Sequence, residues 1–336
     1  MKIRKIALEE HIAVPNTVDD SEKYFEPPVW PKFRRYLLDI HGQLLADMDA
    51  SGIEMTLLSL NSPGIQAVYD RKQAVELARQ ANDYMAEQVA KNPTRFQALA
   101  ALPMQDPEAA AQEMTRAVKQ LGMKGALVNS FSQIDVEDSA AYYDLPQYWD
   151  FWGVMESLDV PFYMHPRDPL PSRTTFYDGH PWLRGSIWAF GVDTGTHALR
   201  LMSCGLFDKY PKLKIILGHL GETLPFLMWR VDNRIKKSPR GIPAKKKLNE
   251  YFKTNFWVTT SGQFCTQSLL NTIHWLGADR IMFSVDYPFE TFADAANWFD
   301  KVDAIGDADW EKIARTNAEK LLKLDLGTEK QKAAAR

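Results

Sequence analysis

Four apolar runs in this chain end on side chains suited to holding a cation. They are Leu8-Glu9-Glu10-His11, Tyr163-Met164-His165-Pro166, Leu217-Gly218-His219-Leu220 and Ser284-Val285-Asp286-Tyr287. Each run reads as a buried strand, and a charged or imidazole group at its end is costly to bury without a partner. Side chains alternate along a strand, so Glu9 and His11 share a face and Glu10 takes the other. His165 and Asp286 end their own strands. If those strands close around one axis, Glu9, His11, His165 and Asp286 meet. Two carboxylates and two imidazoles without thiolate suit one divalent ion, Zn2+ or Mn2+. Taken singly, each residue reads as a satisfied core side chain or part of an ion pair. The metal reading rests on all four standing at the same end of their strands.

The elements that position them alternate in type. Strands are expected over Ile3–Leu8, Met55–Leu60, Phe96–Leu102, Gly125–Asn129, Val160–His165, Leu213–His219, Phe256–Ser261 and Ile281–Asp286. They are continuous apolar runs, as parallel strands covered on both faces should be. Helices are expected over Gln73–Lys91, from Asp106 to Leu121, and over Tyr148–Leu158, Thr196–Phe207, Glu222–Ile235, Gln267–Leu276 and Asp309–Leu322. Asp106 is placed to cap its helix, with Pro107 at the first position. This alternation predicts an α/β fold, a (β/α)8 barrel with inserted loops over its C-terminal face. A doubly wound open sheet is disfavoured, because the glycine-rich turn after the first strand is missing. Residues 14–35 are rich in aromatics and read as an ordered loop over the barrel mouth or a subunit contact; residues 166–190 form a second long loop. The span 1–326 is expected to be one domain and 327–336 a polar tail.

The chain has 336 residues, 45% of them hydrophobic and 25% charged, with a net charge of −3. That charge leaves no electrostatic footprint for nucleic acid. No apolar run approaches the ~20 residues that span a bilayer, and the N-terminus lacks the apolar stretch of a signal peptide. Cys204 and Cys265 are expected to be free thiols in a reducing cytoplasm.

Around the four groups stand further candidates. His219 and Glu222 are three apart, so Glu222 can accept from the imidazole and set its tautomer; the plainer reading is an acidic first helical turn. His219 is open as a fifth ligand, a substrate contact or a proton carrier. Arg167 and Arg230 each offer a fork of donors for a carboxylate or phenolate, against a surface or inter-subunit ion pair. His180 lies on the mouth loop. Phe190 and Phe289 suit stacking on a flat ring, or simple packing. His41 and His274 read as structural.

The chain resembles the amidohydrolase superfamily in its decarboxylase branch, and within it the γ-resorcylate (2,6-dihydroxybenzoate) decarboxylases. The resemblance rests on Ala7–His11, Pro161–Arg167, Tyr177–Pro181, Leu217–Glu222, Met228–Arg230, Thr259–Gly262 and Phe283–Phe289. It implies a metal held by Glu9, His11, His165 and Asp286, and a homo-oligomer, commonly a tetramer and otherwise a dimer, with sites near subunit contacts. Many hydrolytic members open with His-x-His and carry a bridging Lys at the end of strand four. Here Glu9-x-His11 opens the chain and strand four ends in Val128-Asn129, which argues against a two-metal hydrolytic centre. Relatives acting on 2,3-dihydroxybenzoate or salicylate tend to have Ala at the position of His11, which favours 2,6-dihydroxybenzoate. The expected reaction is metal-dependent, reversible, non-oxidative decarboxylation, with no organic cofactor. Asp286 is the first candidate for the proton carrier and His219 the second. The alternatives are a 2,3-dihydroxybenzoate or salicylate decarboxylase, a metal-dependent lactone or amide hydrolase, and a metal-free scaffold.

Overall fold

Eight parallel strands run in chain order: β1 (Lys5–Ile12), β2 (Ile53–Leu60), β3 (Phe96–Ala98), β4 (Ala126–Asn129), β5 (Phe162–His165), β6 (Ile215–Leu217), β7 (Phe256–Thr259) and β8 (Ile281–Met282). The structure is a computed structural model that describes residues 4–326; the tail expected at 327–336 lies outside the described residues. The strands form two ladders, β1-β2-β3 and β4 through β8. Single bridges join the ladders, Ala100 to Ala126 on one side and Glu10 to Tyr287 on the other. The result is the (β/α)8 barrel expected from the alternation.

Strand parity divides the core into two parts. Ile6, Leu8, Met55, Leu57, Leu127, Tyr163, Ile216 and Met282 fill the lumen, closed below by Leu321 and Leu322. The alternate positions, among them Ala7, Leu58, Val128, Met164, Leu217 and Val258, pack outward against the helices. Such buried aliphatic side chains each contribute roughly 1.5–3 kcal/mol. Above the apolar layers the same inward parity brings Ser59, Asn129, His165 and Thr259 to the top of the lumen.

β1 reaches that layer differently. Its pairing with β2 slips between Ala7 and Glu10, so Leu8 and Glu9 together face one residue of β2. This bulge changes the phase of the strand. Ile6 and Leu8 point into the lumen, and so do Glu9 and His11. Without it, strict alternation from Leu8 would send Glu10 inward.

Several boundaries differ from expectation for physical reasons. The helix Arg71–Lys91 starts where the Asp70 carboxylate accepts from Gln73 N at 2.8 Å, and Pro107–Lys119 where Asp106 accepts from Ala109 N at 3.1 Å. The helix expected over Thr196–Phe207 begins at Ala189 and stops at Ser203, before Gly205 at φ +88°. The helix expected from Glu222 begins at Leu224, because five residues ahead of it are left-handed. β8 keeps two ladder residues, and beyond Met282 the chain is held by separate backbone hydrogen bonds, among them Asp286 N to Glu9 O and Gly262 N to Val285 O at 3.1 Å each, together with side chains.

Candidate metal centre

Glu9, His11, His165 and Asp286 come together at the top of the lumen, with one donor atom from each within 4.8 Å of all the others. Glu9 Oε1 lies 3.1 Å from His165 Nε2 and 4.0 Å from His11 Nε2, and Asp286 Oδ1 lies 3.2 Å from His11 Nε2. Each ligand side chain has a partner on its far side. His165 Nδ1 pairs with Asn129 Oδ1 at 2.8 Å and His11 Nδ1 with Ser59 Oγ at 3.2 Å. Tyr163 donates its hydroxyl to Glu9 Oε2, and Thr259 Oγ1 stands 2.7 Å from that hydroxyl. With both Nδ1 atoms protonated toward their partners, each Nε2 presents a lone pair to a carboxylate oxygen.

Acceptor facing acceptor is unfavourable in a buried space. Glu9 Oε1, His11 Nε2 and Asp286 Oδ1 are buried without a hydrogen-bond partner. Each such atom costs ~1–3 kcal/mol while it stays unsatisfied. A single divalent cation would satisfy all three, and the carboxylate and imidazole donors suit Zn2+ or Mn2+. The protonation tendencies agree. Burial pushes the His11 pKa down, and His165 beside it adds to that, so its imidazole stays neutral. Burial pushes the Glu9 and Asp286 carboxyls up, and only positive charge and N–H donation from the surrounding histidines, His219 included, outweigh it and hold both below their ordinary values; with His11 neutral, a cation would supply that charge.

His219 sits beside the four. Its Nε2 is 3.8 Å from Glu9 Oε1 and 3.8 Å from Asp286 Oδ2, and its Nδ1 is 2.7 Å from Glu222 Oε1. Burial works against its charge, but Glu222, Asp286 and Glu9 outweigh it and raise its pKa well above the ordinary value. The backbone that delivers this pair is strained. His219, Leu220, Gly221, Glu222 and Thr223 have φ of 51°, 55°, 91°, 52° and 65°, and Asp286 has 82°. For residues with a Cβ this conformation costs about 1–2 kcal/mol each, and such strain gathers at working sites. Two glycines give clearance. A Cβ on Gly218 would lie 2.9 Å from Glu9 Oε2, and one on Gly262, at φ +60°, would lie 3.0 Å from His219 Cδ2.

An aromatic wall flanks His11. Phe289 lies 5.7 Å from its ring, and Phe25 and Phe33 lie 6.1 and 5.4 Å from Phe289. The aromatic loop expected over the mouth thus reaches the site. A separate cavity of about 880 Å3 is bordered by Asn16, Tyr24, Asn61 and Gln80; none of the four clustered groups lines it.

Four expected substrate contacts, Arg167, Arg230, His180 and Phe190, make no contact with the quartet within this chain. Arg167 is 2% exposed, and its Nη atoms donate to the carbonyls of Gln66 and Phe131 and to Gln133 Oε1, with the guanidinium 4.4 Å over the Phe131 ring. Those contacts make it a brace between loops, not a free fork for substrate. Arg230 is exposed on the helix Leu224–Lys237, on a face turned away from the lumen. His180 is exposed and packs edge-on against Trp182 at 5.1 Å. Phe190 is half-buried next to Gly191, where a Cβ would lie 3.4 Å from Glu222 Oε2, and makes no ring contact with the imidazoles.

Tyr163, Ser59 and Thr259 did not stand out in the sequence as partners of the ligands. The available signal was parity, since Tyr163 is two residues before His165 and shares its face.

The chain matches the amidohydrolase family over residues 37–324. It is 54% identical to a γ-resorcylate decarboxylase from Rhizobium sp. (strain MTP-10005), over 96% of this chain and 98% of that one. It superposes with a TM-score of 0.93 on a 2,6-dihydroxybenzoate decarboxylase solved with 2,6-dihydroxybenzoate, at 53% identity over 96% of this chain and all of the other. A dihydroxybenzoic acid decarboxylase from Polaromonas sp. JS666, solved with manganese and 2-nitroresorcinol, gives the same TM-score of 0.93 at 54% identity, over 96% of this chain and 97% of that one. The chain belongs to the amidohydrolase family, alongside the γ-resorcylate decarboxylases.

Proposed function

We propose that this protein is a carboxy-lyase that removes CO2 from 2,6-dihydroxybenzoate to give resorcinol, reversibly and without oxidation. The observation that carries the reading is the buried quartet Glu9, His11, His165 and Asp286 with its unpartnered donor atoms, in a chain more than half identical to enzymes of that name. The four would hold one divalent ion, Mn2+ or Zn2+. When bound it supplies positive charge to the carboxylate and ortho oxygen of the acid and stabilises the phenolate.

The chain's own groups do the rest. Phe289, with Phe25 and Phe33 behind it, offers a flat face for the ring. Asp286, ionised in the free site, takes the proton of the substrate's ortho hydroxyl and delivers it to the ring carbon that bears the carboxylate. The C–C bond then breaks, its electron pair restores the aromatic ring, and CO2 leaves. Asp286 Oδ2 and His219 Nε2 stand 3.8 Å apart, close enough for His219 to return a proton to Asp286 through a small shift or one water. Glu222 keeps His219 oriented for that exchange. A metal-dependent lactone or amide hydrolase is the second reading on this barrel; the aromatic wall against His11 favours the aromatic acid.

The same reading takes the protein to be a homo-oligomer, a dimer or tetramer. The exposure of Phe176, Trp182, Ile187, Trp188, Phe226 and Trp229 along two segments supports it. Arg230 neighbours that apolar face, where a second copy would cover it. The site draws on strands from both ends of the barrel, which supports treating 1–326 as one domain. No helix among the described residues is long and apolar enough to cross a membrane. Cys204 and Cys265 are unpaired, in keeping with a cytoplasmic location.

The test is turnover of 2,6-dihydroxybenzoate in D2O with Mn2+ supplied. Resorcinol should carry deuterium on the vacated carbon. Resorcinol without it, or hydrolysis of lactones with no CO2 from the benzoate, overturns the reading.

A further inference from the structure

Glu10 is the one carboxylate of the opening motif that the proposed chemistry does not use. It is fully buried on the outer face of β1 and takes three hydrogen bonds from the segment after β8. Ser284 Oγ and Val285 N donate to Oε1 at 3.0 and 3.1 Å, and Tyr287 N donates to Oε2 at 3.0 Å. Those two amides flank Asp286. The Ser284 hydroxyl completes the link. Its proton goes to Glu10, while its oxygen accepts Leu8 N at 3.1 Å and Glu9 N at 2.7 Å. Leu8 and Glu9 are the two bulged residues of β1. Thr260 locks Ser284 from the other side, donating to its carbonyl at 2.9 Å and accepting from its amide at 3.0 Å.

Two seams of the barrel lack a ladder, this one and that between β3 and β4, where Ala100 bridges Ala126. β1 and β8 share no ladder, and only the Glu10–Tyr287 bridge joins them. Two main-chain hydrogen bonds cross the seam, Asp286 N to Glu9 O at 3.1 Å and His11 N to Tyr287 O at 2.7 Å, and a carboxylate and a hydroxyl supply the rest. They hold the bulge that turns Glu9 inward and the turn that keeps Asp286 at φ +82°. We infer that Glu10 and Ser284 form a positioning clamp that aims Glu9 and Asp286 at a shared metal ion. Glu10 touches neither the ion nor the substrate; it acts through the two residues beside it. Two side-chain oxygens suit the role, because Ser284 Oγ, Val285 N and Tyr287 N all donate to them. The glutamine amide would turn an N–H toward the N–H of Val285 or Tyr287.

The inference rests on the reading that Glu9 and Asp286 ligate a metal, so the test separates the two. Mn2+ affinity is measured on the purified full chain by competition with a chelator. The variants are Glu10→Gln, Ser284→Ala, Asp286→Ala and the double variant Glu10→Gln/Asp286→Ala, with folding checked by circular dichroism. Glu10→Gln should weaken Mn2+ binding by ~10–100-fold, the usual effect of losing a partner that orients a ligand. Ser284→Ala should weaken it in the same direction, which keeps the inference testable if Glu10→Gln does not fold. In the Asp286→Ala background the Glu10→Gln loss should shrink to a few-fold, because one of the two aimed ligands is already gone. A clamp with a purely structural role lowers melting temperature and leaves Mn2+ affinity alone, and that result overturns the inference. An equal loss in both backgrounds overturns it too. If wild type and Asp286→Ala bind Mn2+ alike, the metal reading itself fails.

Discussion

His197→Gln offers a quantitative test of the packing behind the site. His197 is fully buried, packs against the rings of Tyr142 and Tyr143 at 4.9 Å each, and accepts Tyr143 N on Nε2 at 2.9 Å. Burial, with Arg200 adding to it, pushes its pKa down from 6.5 to about 3. Between those values the unfolded chain binds a proton that the folded chain refuses. Stability contributed by the neutral imidazole is therefore intact above pH 6.5 and is lost as the pH falls toward 3. Linkage gives a loss of about 2 kcal/mol between pH 7 and pH 5, and up to about 5 kcal/mol below pH 3. For a chain of this length, 2 kcal/mol lowers the melting temperature by about 3 °C. Glutamine puts a non-titrating acceptor near Nε2 and keeps the Tyr143 hydrogen bond. Urea melts with chelator present, at pH 7 and pH 5, should show the variant losing about 2 kcal/mol less than wild type over that interval. Equal losses in the two proteins would refute the argument, because they would mean His197 titrates alike in both states.

Other perturbations address the site directly. Asp286→Asn should lower turnover by ~10²–10⁴-fold, the usual worth of a positioned proton carrier; an active variant with metal bound puts the carrier elsewhere. Tyr163→Phe removes the donor on Glu9 Oε2, and Mn2+ affinity by chelator competition should fall about tenfold, with wild-type affinity counting against that bond. Gly262→Ala sets a Cβ 3.0 Å from His219 Cδ2 at a left-handed φ. It should cost about 1–2 kcal/mol of stability and reduce kcat more than it raises KM, and unchanged kinetics would show that His219 has room to spare. Trp229→Asp should shift the particle to monomers in light scattering, because that side chain is 66% exposed on a single chain; an unchanged mass locates the subunit contact elsewhere.

The metal quartet was legible because its residues are rare at strand ends and strand parity is strict. Glu9 was separated from Glu10 correctly, but the pairing explains why only after the fact. The bulge between Ala7 and Glu10 reverses the phase, and no sequence pattern announces it. The partners of the ligands were quieter. Ser59, Asn129 and Thr259 are small polar residues at strand ends, which read as ordinary strand terminators until three dimensions place them behind a ligand. The arginines were harder to place, since sequence reports a side chain's donors but not its depth. Arg167 is buried and committed to loop carbonyls, and Arg230 faces outward. β8 was read as six residues long because its apolar run continues to Asp286. Its ladder ends at Met282, where the Glu10 and Ser284 side chains take over.

The seam between β1 and β8 also orders events in time. Glu9 is made 275 residues before Ser284, with Glu10 beside the first and Asp286 close to the second. Until the last strand arrives, the amides of Leu8 and Glu9 have no hydroxyl to meet and the Glu10 carboxylate has no donors, so all of them stay in water. Closing so long a loop is among the slowest steps a chain takes. The final closure of the barrel and the assembly of the metal site are then a single event. A chain without the segment from Ser284 onward lacks Asp286 and the hydroxyl that holds the β1 bulge, and so lacks the assembled centre.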